Sequence, residues 1–157
     1  MPDIVAFPVQ DAYYDTIHSY ASKQEQALAP HCIVEPTSTL EVSKTVFVLS
    51  FLAESPGFQH TKDCLFAVKG GGQNALAGTA NIESGVTIDL HHLNSIDITT
   101  SRIAPVNASY VANTTVVNIG GGATWDQVYQ KLDPLGLSVT GGSVAGVGVG
   151  GLTLGGK

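Results

Sequence analysis

Two glycine runs constrain this chain more than any other feature. The first, Ala67-Val-Lys-Gly-Gly-Gly-Gln-Asn74, is an apolar strand that enters three consecutive glycines. The second, Gly141 to Gly156, contains Gly146-Val-Gly-Val-Gly-Gly151. Glycine runs mark backbone that approaches something closely or takes φ > 0. Three successive glycines also let neighbouring N–H groups turn toward one point, which makes an anion nest, although a flexible turn has the same sequence. Two such nests in one small domain favour a ligand with two phosphates. The Gly146–Gly151 spacing matches G-x-G-x-x-G, but a nicotinamide dinucleotide fingerprint must open a long helix and carry an acidic residue about 20 positions onward. Leu152-Thr-Leu-Gly-Gly156 is too rich in glycine for a helix interior, so that site is not expected. No Gly-Lys-Ser/Thr sequence provides a Walker loop.

The rest of the chain supplies strands and helices around these runs. Asp11 to Ala27 reads as a polar helix closed by Pro30, and Cys32 to Glu35 as a strand. Ser38-Thr-Leu-Glu41 has the form of a capping box, in which hydroxyl and carboxylate satisfy opposite free N–H groups. Behind it Val42, Val46, Leu49 and Ala53 repeat at helical spacing, and Glu54-Ser-Pro-Gly57 stops the helix. Strands are expected at Leu65–Val68, Val86–Leu90, Ile96–Thr99 and Val111–Ile119, the last paired as a hairpin around Asn113. Thr124-Trp-Asp-Gln127 forms a second capping box, with Trp125, Val128 and Leu132 on one helical face. Pro134-Leu-Gly136 ends that helix, and a strand at Leu137–Thr140 leads into the second glycine run. Short strands layered with helices give an α+β fold.

Composition narrows the function. The 157 residues are 43% hydrophobic and 13% charged, with net charge −6, against a usual charged share of about 25%. This suits a folded body and argues against disorder. The scattered basic residues form no stripe, so nucleic acid is not expected as a partner. The longest apolar segment, Val46 to Ala53, is interrupted by Ser50 and falls short of the roughly 18 residues of a membrane span, so no membrane association is expected. Residues 1–30 show no signal peptide, having neither a basic start nor an apolar core. Two cysteines, Cys32 and Cys64, lack metal-ligand spacing; they read equally as small buried hydrophobes or as one disulfide. Asn107-Ala-Ser and Asn113-Thr-Thr are glycosylation sequons. His91 and His92 follow a strand end and read as surface residues. No metal site is expected.

Taken in order, Cys32-Ile-Val-Glu-Pro-Thr-Ser38, Cys64 to Gly78, Gly85-Val-Thr-Ile-Asp-Leu-His-His-Leu-Asn94, Gly120-Gly-Gly-Ala-Thr-Trp-Asp-Gln-Val-Tyr129 and Gly141 to Gly156 resemble the opening of a PCMH-type FAD-binding domain. The match is to the vanillyl-alcohol-oxidase superfamily, and within it to the fungal branch similar to berberine-bridge enzymes. It divides the chain into an N-terminal helical segment, residues 1–27, and the domain itself, residues 28–157. The resemblance implies that Lys69, Gly70, Gly71, Gly72, Gln73 and Asn74 wrap the FAD pyrophosphate, with Gly78 behind them. Gly141, Gly142, Val144 and Val147, then Gly148, Gly150, Gly151 and Leu154, would line the pyrophosphate and ribityl chain. It further implies a Cys32–Cys64 disulfide and secretion, while Trp125 and Tyr129 read as helix-face packing residues rather than as flavin-stacking ones.

The chain departs from this family at three places. Many members of the branch carry a His at the position of Gln73, bonded to the flavin 8α-methyl, and doubly linked members carry Cys at the position of Val144. Neither nucleophile is present, so FAD is expected to be held non-covalently. Lys69 stands where Arg is commoner, and an ammonium lacks the planar two-pronged contact of guanidinium. The resemblance also breaks off inside the FAD domain, before the segment that carries the family's catalytic base, often a Tyr. No catalytic residue is nominated. The expected activity is FAD-dependent oxidation of a small molecule (an alcohol, sugar or secondary-metabolite intermediate), with a truncated, non-catalytic scaffold as the alternative.

Overall fold

The computed structural model describes residues 4–54, 64–103 and 112–155. Its organising element is a four-stranded sheet of β1 (Val5–Ala6), β2 (Cys32–Val34), β3 (Phe66–Lys69) and β4 (Val86–Asp89) in the order β1-β2-β4-β3. β2, β4 and β3 run parallel, with Val34 opposite Ile88 and Lys69 opposite Asp89, and β1 adds an antiparallel edge. All four β4 residues are buried, as a central parallel strand requires. Sequence reading finds the three parallel strands and misses β1, whose two residues are too short to show a period.

A second sheet is the antiparallel hairpin of β5 (Ile96–Ile103) and β6 (Ala112–Ile119). Ile96 faces Ile119 and Ile98 faces Val117, so one face of the ribbon packs on α4 (Trp125–Leu132). The expected hairpin around Asn113 is corrected by this register: Asn113 lies within β6 opposite Arg102, and the connection falls at residues 104–111. That connection, with Asn107, lies outside the described residues, as do Ser55, Pro56 and Gly57. α4 starts as expected, with Gln127 Oε1 accepting from the Thr124 N–H at 3.0 Å. Trp125, Val128 and Leu132 are buried along its inner face.

Four further expectations change. The Asp11–Ala27 helix divides into α1 (Asp11–His18) and α2 (Lys23–Gln26). Between them Tyr20 enters the core, its hydroxyl on the Ala80 carbonyl at 2.7 Å, and the Ala21 N–H bonds to Gly72 O at 3.1 Å. These tertiary bonds replace helical ones, and the Ser22 hydroxyl restarts the helix as N-cap. α3 (Thr39–Glu54) forms as read, but no residue along it is buried, and Leu40, Phe47 and Phe51 are exposed. Its Glu41 carboxylate accepts from the Thr37 N–H and hydroxyl at 2.8 and 3.0 Å, one residue before the expected cap. Leu137–Thr140 forms no strand. Gly136 takes φ 65° and the Leu137 N–H reaches back to Leu132 O at 3.2 Å, a reversal that turns the chain onto the core cluster instead of a sheet edge. Finally, Val149–Gly155 is helical (α5) despite its glycines, anchored by buried Val149, whose N–H bonds to Ala123 O at 2.9 Å.

The Cys32–Cys64 disulfide is also corrected: both are free thiols. Cys32 of β2 and Phe66 of β3 both register with Val86, on opposite sides of β4. Two strand spacings, about 9.5 Å, thus separate the strands that carry or follow the two cysteines. A disulfide needs Cα atoms within about 7 Å.

Candidate functional site

β3 delivers the first glycine run to the C-terminal edge of the parallel sheet, where open α/β sheets hold their ligands. There it meets the second run. A β-carbon built on Gly71 would lie 2.7 Å from Gly148 Cα and 2.8 Å from the Gly146 carbonyl oxygen, which no side chain tolerates. A third glycine segment joins them. The Gly121 carbonyl lies 3.5 Å from a β-carbon built on Gly70 and 2.9 Å from one on Gly150. Sequence reading treats Gly120–Gly122 as a strand breaker; its close approach to both runs is tertiary, and its only sequence signal is the third glycine cluster itself.

The second and third glycine segments have several of their amides bonded, as Gly146 is to Asp126 and Gly122 to Leu93 O, whereas the first run does not. Among the described residues, no group accepts a hydrogen bond from the N–H of Gly70, Gly71, Gly72 or Gln73. Buried backbone donors are paired in more than about nine cases in ten, so a run of unpaired amides in partly buried glycines is a ready anion site. Gly72 adopts φ 66°, with Tyr20 and the Lys69 stem directly beneath it.

Polar side chains fix the surrounding loops. Asp126 accepts from the Gly146 N–H at 2.8 Å, and this bond holds its carboxyl below the usual carboxylate range. The Tyr129 hydroxyl donates to Gly142 O at 2.9 Å, and Gly141 and Gly142 lie against the Trp125 indole. Trp125 and Tyr129 thus pack as helix-face residues with ring centroids 6.0 Å apart. The Trp125 Nε1 is buried without an acceptor among the described residues. On the other side, Glu25 is fully buried and accepts from the N–H groups of Gly78, Thr79 and Ala80 at 3.1, 3.1 and 2.9 Å, and from the Thr79 hydroxyl at 2.8 Å.

The remaining candidate residues occupy distinct places. Lys69 is buried, its ammonium turned inward onto Asp89 Oδ2 at 2.8 Å and 5.4 Å from the Tyr20 ring centroid, so it supports the loop from below. Gln73 reaches over the second run, its Nε2 being 3.1 Å from a β-carbon built on Gly146, and borders a groove of about 390 Å³ with Ala21, Ser22 and Ala75. Asn74 caps the next turn through the Leu76 N–H at 3.1 Å. Val144 and Leu154 are exposed, Gly151 opens onto free space, and the Val147 carbonyl takes the Trp125 N–H at 3.0 Å. Gly70–Gln73 and Gly146–Gly151 are therefore brought together, while Gly141 and Gly142 lie against Trp125 and Gly78 is held by Glu25.

No described helix is long and apolar enough to cross a membrane. Residues 30–157 match the family described as FAD binding domain. The chain is 36% identical over 147 residues to the FAD-dependent monooxygenase CTB5 of Cercospora beticola, covering 94% of this chain and 25% of that protein. It is 34% identical over 153 residues to the FAD-dependent monooxygenase sdcF of Emericella nidulans, covering 98% and 28%. Among solved structures, a BBE-like protein of Physcomitrella patens superposes with TM-score 0.64 at 18% identity, over 96% of this chain and 28% of that one. CrmK, a flavoenzyme of caerulomycin biosynthesis, gives 0.63 at 20% identity, over 94% and 25%. The chain thus spans about a quarter of the length of the relatives it matches. It belongs to the FAD binding domain family and carries the N-terminal part of the PCMH-type fold shared with berberine-bridge-enzyme-like proteins.

Proposed function

We propose that this chain forms the pyrophosphate-holding part of a non-covalent FAD site in an oxidoreductase acting on a small molecule. The observation that carries the reading is the set of amides from Gly70 to Gln73, unpaired among the described residues, where three glycine segments converge. The fit is chemical as well as steric: a nest of N–H groups suits a pyrophosphate without side-chain cations. Gly70–Gln73 would hold the phosphates, with Gly146–Gly151 closing the opposite side. Gln73 and Val144 offer no nucleophile for a flavin, which supports release of intact cofactor on denaturation. When bound, FAD would supply the two-electron chemistry, accepting hydride from a substrate C–H and returning the electrons to O₂. The protein's share is to bind and orient. Lys69 and Glu25 contribute by holding the loop from below and behind.

Gly71→Ala tests the cradle. The added methyl meets Gly148 backbone, which has no rotamer to move, and overpacking of this kind costs about 1–3 kcal/mol. FAD affinity, measured by flavin fluorescence during titration, is expected to fall about 10- to 100-fold. The exposed-site control Val9→Ser should bind as the parent does. Unchanged affinity in Gly71→Ala would remove this junction from the FAD site.

A further inference from the structure

We propose that Glu35, His91 and His92 form a binding site for a divalent transition-metal ion of the zinc type, at the sheet edge beside the third glycine segment. Parallel pairing of β2 and β4 makes the juxtaposition. Val34 and Ile88 are in register, so both strands end at the same edge, and Glu35 emerges beside the turn that follows Asp89. That turn is closed by the Leu93 N–H on Leu90 O at 2.8 Å, and it presents two successive histidines. One ring nitrogen of each and one Glu35 oxygen lie within 4.8 Å of one another. His92 Nε2 stands 3.9 Å from Glu35 Oε2, and the two rings lie 3.8 Å apart.

The surroundings favour a built site over a chance cluster. Glu35 Oε1 accepts from the Thr16 hydroxyl at 3.0 Å, which leaves Oε2 facing His92. His91 Nδ1 lies 3.3 Å from the buried Asp89 carboxylate, whose other oxygen takes the His91 N–H at 3.1 Å. A carboxylate that fixes an imidazole by one nitrogen and leaves the other for a metal is the usual outer support of a histidine ligand. The donor set selects the ion. Two imidazoles and a carboxylate suit Zn²⁺, Ni²⁺ or Cu²⁺, whereas Mg²⁺ and Ca²⁺ require more oxygen ligands. Zinc bonds of about 2.0–2.1 Å place ligand atoms closer together than they stand here. The His92 side chain, 46% accessible, has room to rotate inward by that amount, while His91 keeps its contact with Asp89. Three protein ligands leave a coordination position open to water or a further ligand.

Zinc chloride titrated into the purified chain by calorimetry, with thermal melting in parallel, decides the matter. One Zn²⁺ per chain with micromolar or tighter affinity is expected, together with a melting temperature that rises with zinc and not with magnesium. His92→Ala and Glu35→Gln should each weaken binding at least about tenfold while melting close to the parent without zinc. Absence of one-to-one binding overturns the proposal. Binding that survives unchanged in either variant also overturns it, because the ion would then reside elsewhere, at His18, His31 or the cysteine thiols.

Discussion

Glu25→Ala is expected to lower the unfolding free energy by about 4 kcal/mol. The fully buried carboxylate accepts three backbone N–H groups and one hydroxyl from Gly78–Ala80. Truncation removes four bonds to a buried charged acceptor, each worth about 1.5–3 kcal/mol, and rehydration of the exposed Gly78 and Thr79 groups offsets part of that sum. Glu25→Gln separates charge from geometry. Its amide oxygen, placed where Oε1 stands, keeps the bonds to Thr79 and Ala80, while its NH₂ group opposes the Gly78 N–H. The expected loss for Gln is therefore about 1–2 kcal/mol. Urea unfolding of both variants checks the ratio. Equal losses, or a loss below about 1 kcal/mol for Ala, would mean that Glu25 does not hold the loop behind the glycines.

The second large effect belongs to Lys69. Its ammonium and the Asp89 carboxylate are 6% and 1% accessible and 2.8 Å apart, with Thr16 donating to the same Asp89 oxygen at 3.2 Å. Lys69→Met leaves the buried carboxylate with only the partly exposed His91 ring 3.3 Å away, and breaking such a pair costs about 3–5 kcal/mol. The double variant Lys69→Met, Asp89→Leu should recover part of that loss, because burying two apolar groups of similar size removes the charge that lacked a partner. Denaturant unfolding of the single and double variants tests this non-additivity. A Lys69→Met protein that is as stable as the parent but has lost FAD affinity would show instead that Lys69 serves the phosphate directly.

What the sequence made legible divides along physical lines. α4 was readable because capping, periodicity and stop signals agree over one short segment: Thr124, the Trp125–Val128–Leu132 face and Gly136. The parallel strands were readable as short apolar runs, and the first glycine run as a nest. Features set by distant partners were not. Nothing near Ser19–Ala21 announces that Tyr20 is drawn under Gly72, although Ser22 is a recognisable N-cap. Glycine content argued against a helix at Val149–Gly155, at about 1 kcal/mol per glycine relative to Ala. The bond to Ala123 and the approach of Gly150 to Gly121 override it. The disulfide expectation came from resemblance, and it failed on strand order, which no local pattern of Cys32 or Cys64 encodes. The Glu35–His91–His92 cluster was hidden for the same reason, since its third member arrives through the β2–β4 pairing.

The central claim is that the converging glycine segments hold FAD without a covalent bond. The most direct test is to incubate the purified chain with FAD, desalt it, and record the visible flavin spectrum before denaturation and on the supernatant after it. The account predicts a flavin spectrum that stays with the folded chain and passes wholly into the supernatant. A colourless desalted chain would contradict the claim that these segments suffice to hold the cofactor, and flavin left on the denatured polypeptide would contradict non-covalent attachment.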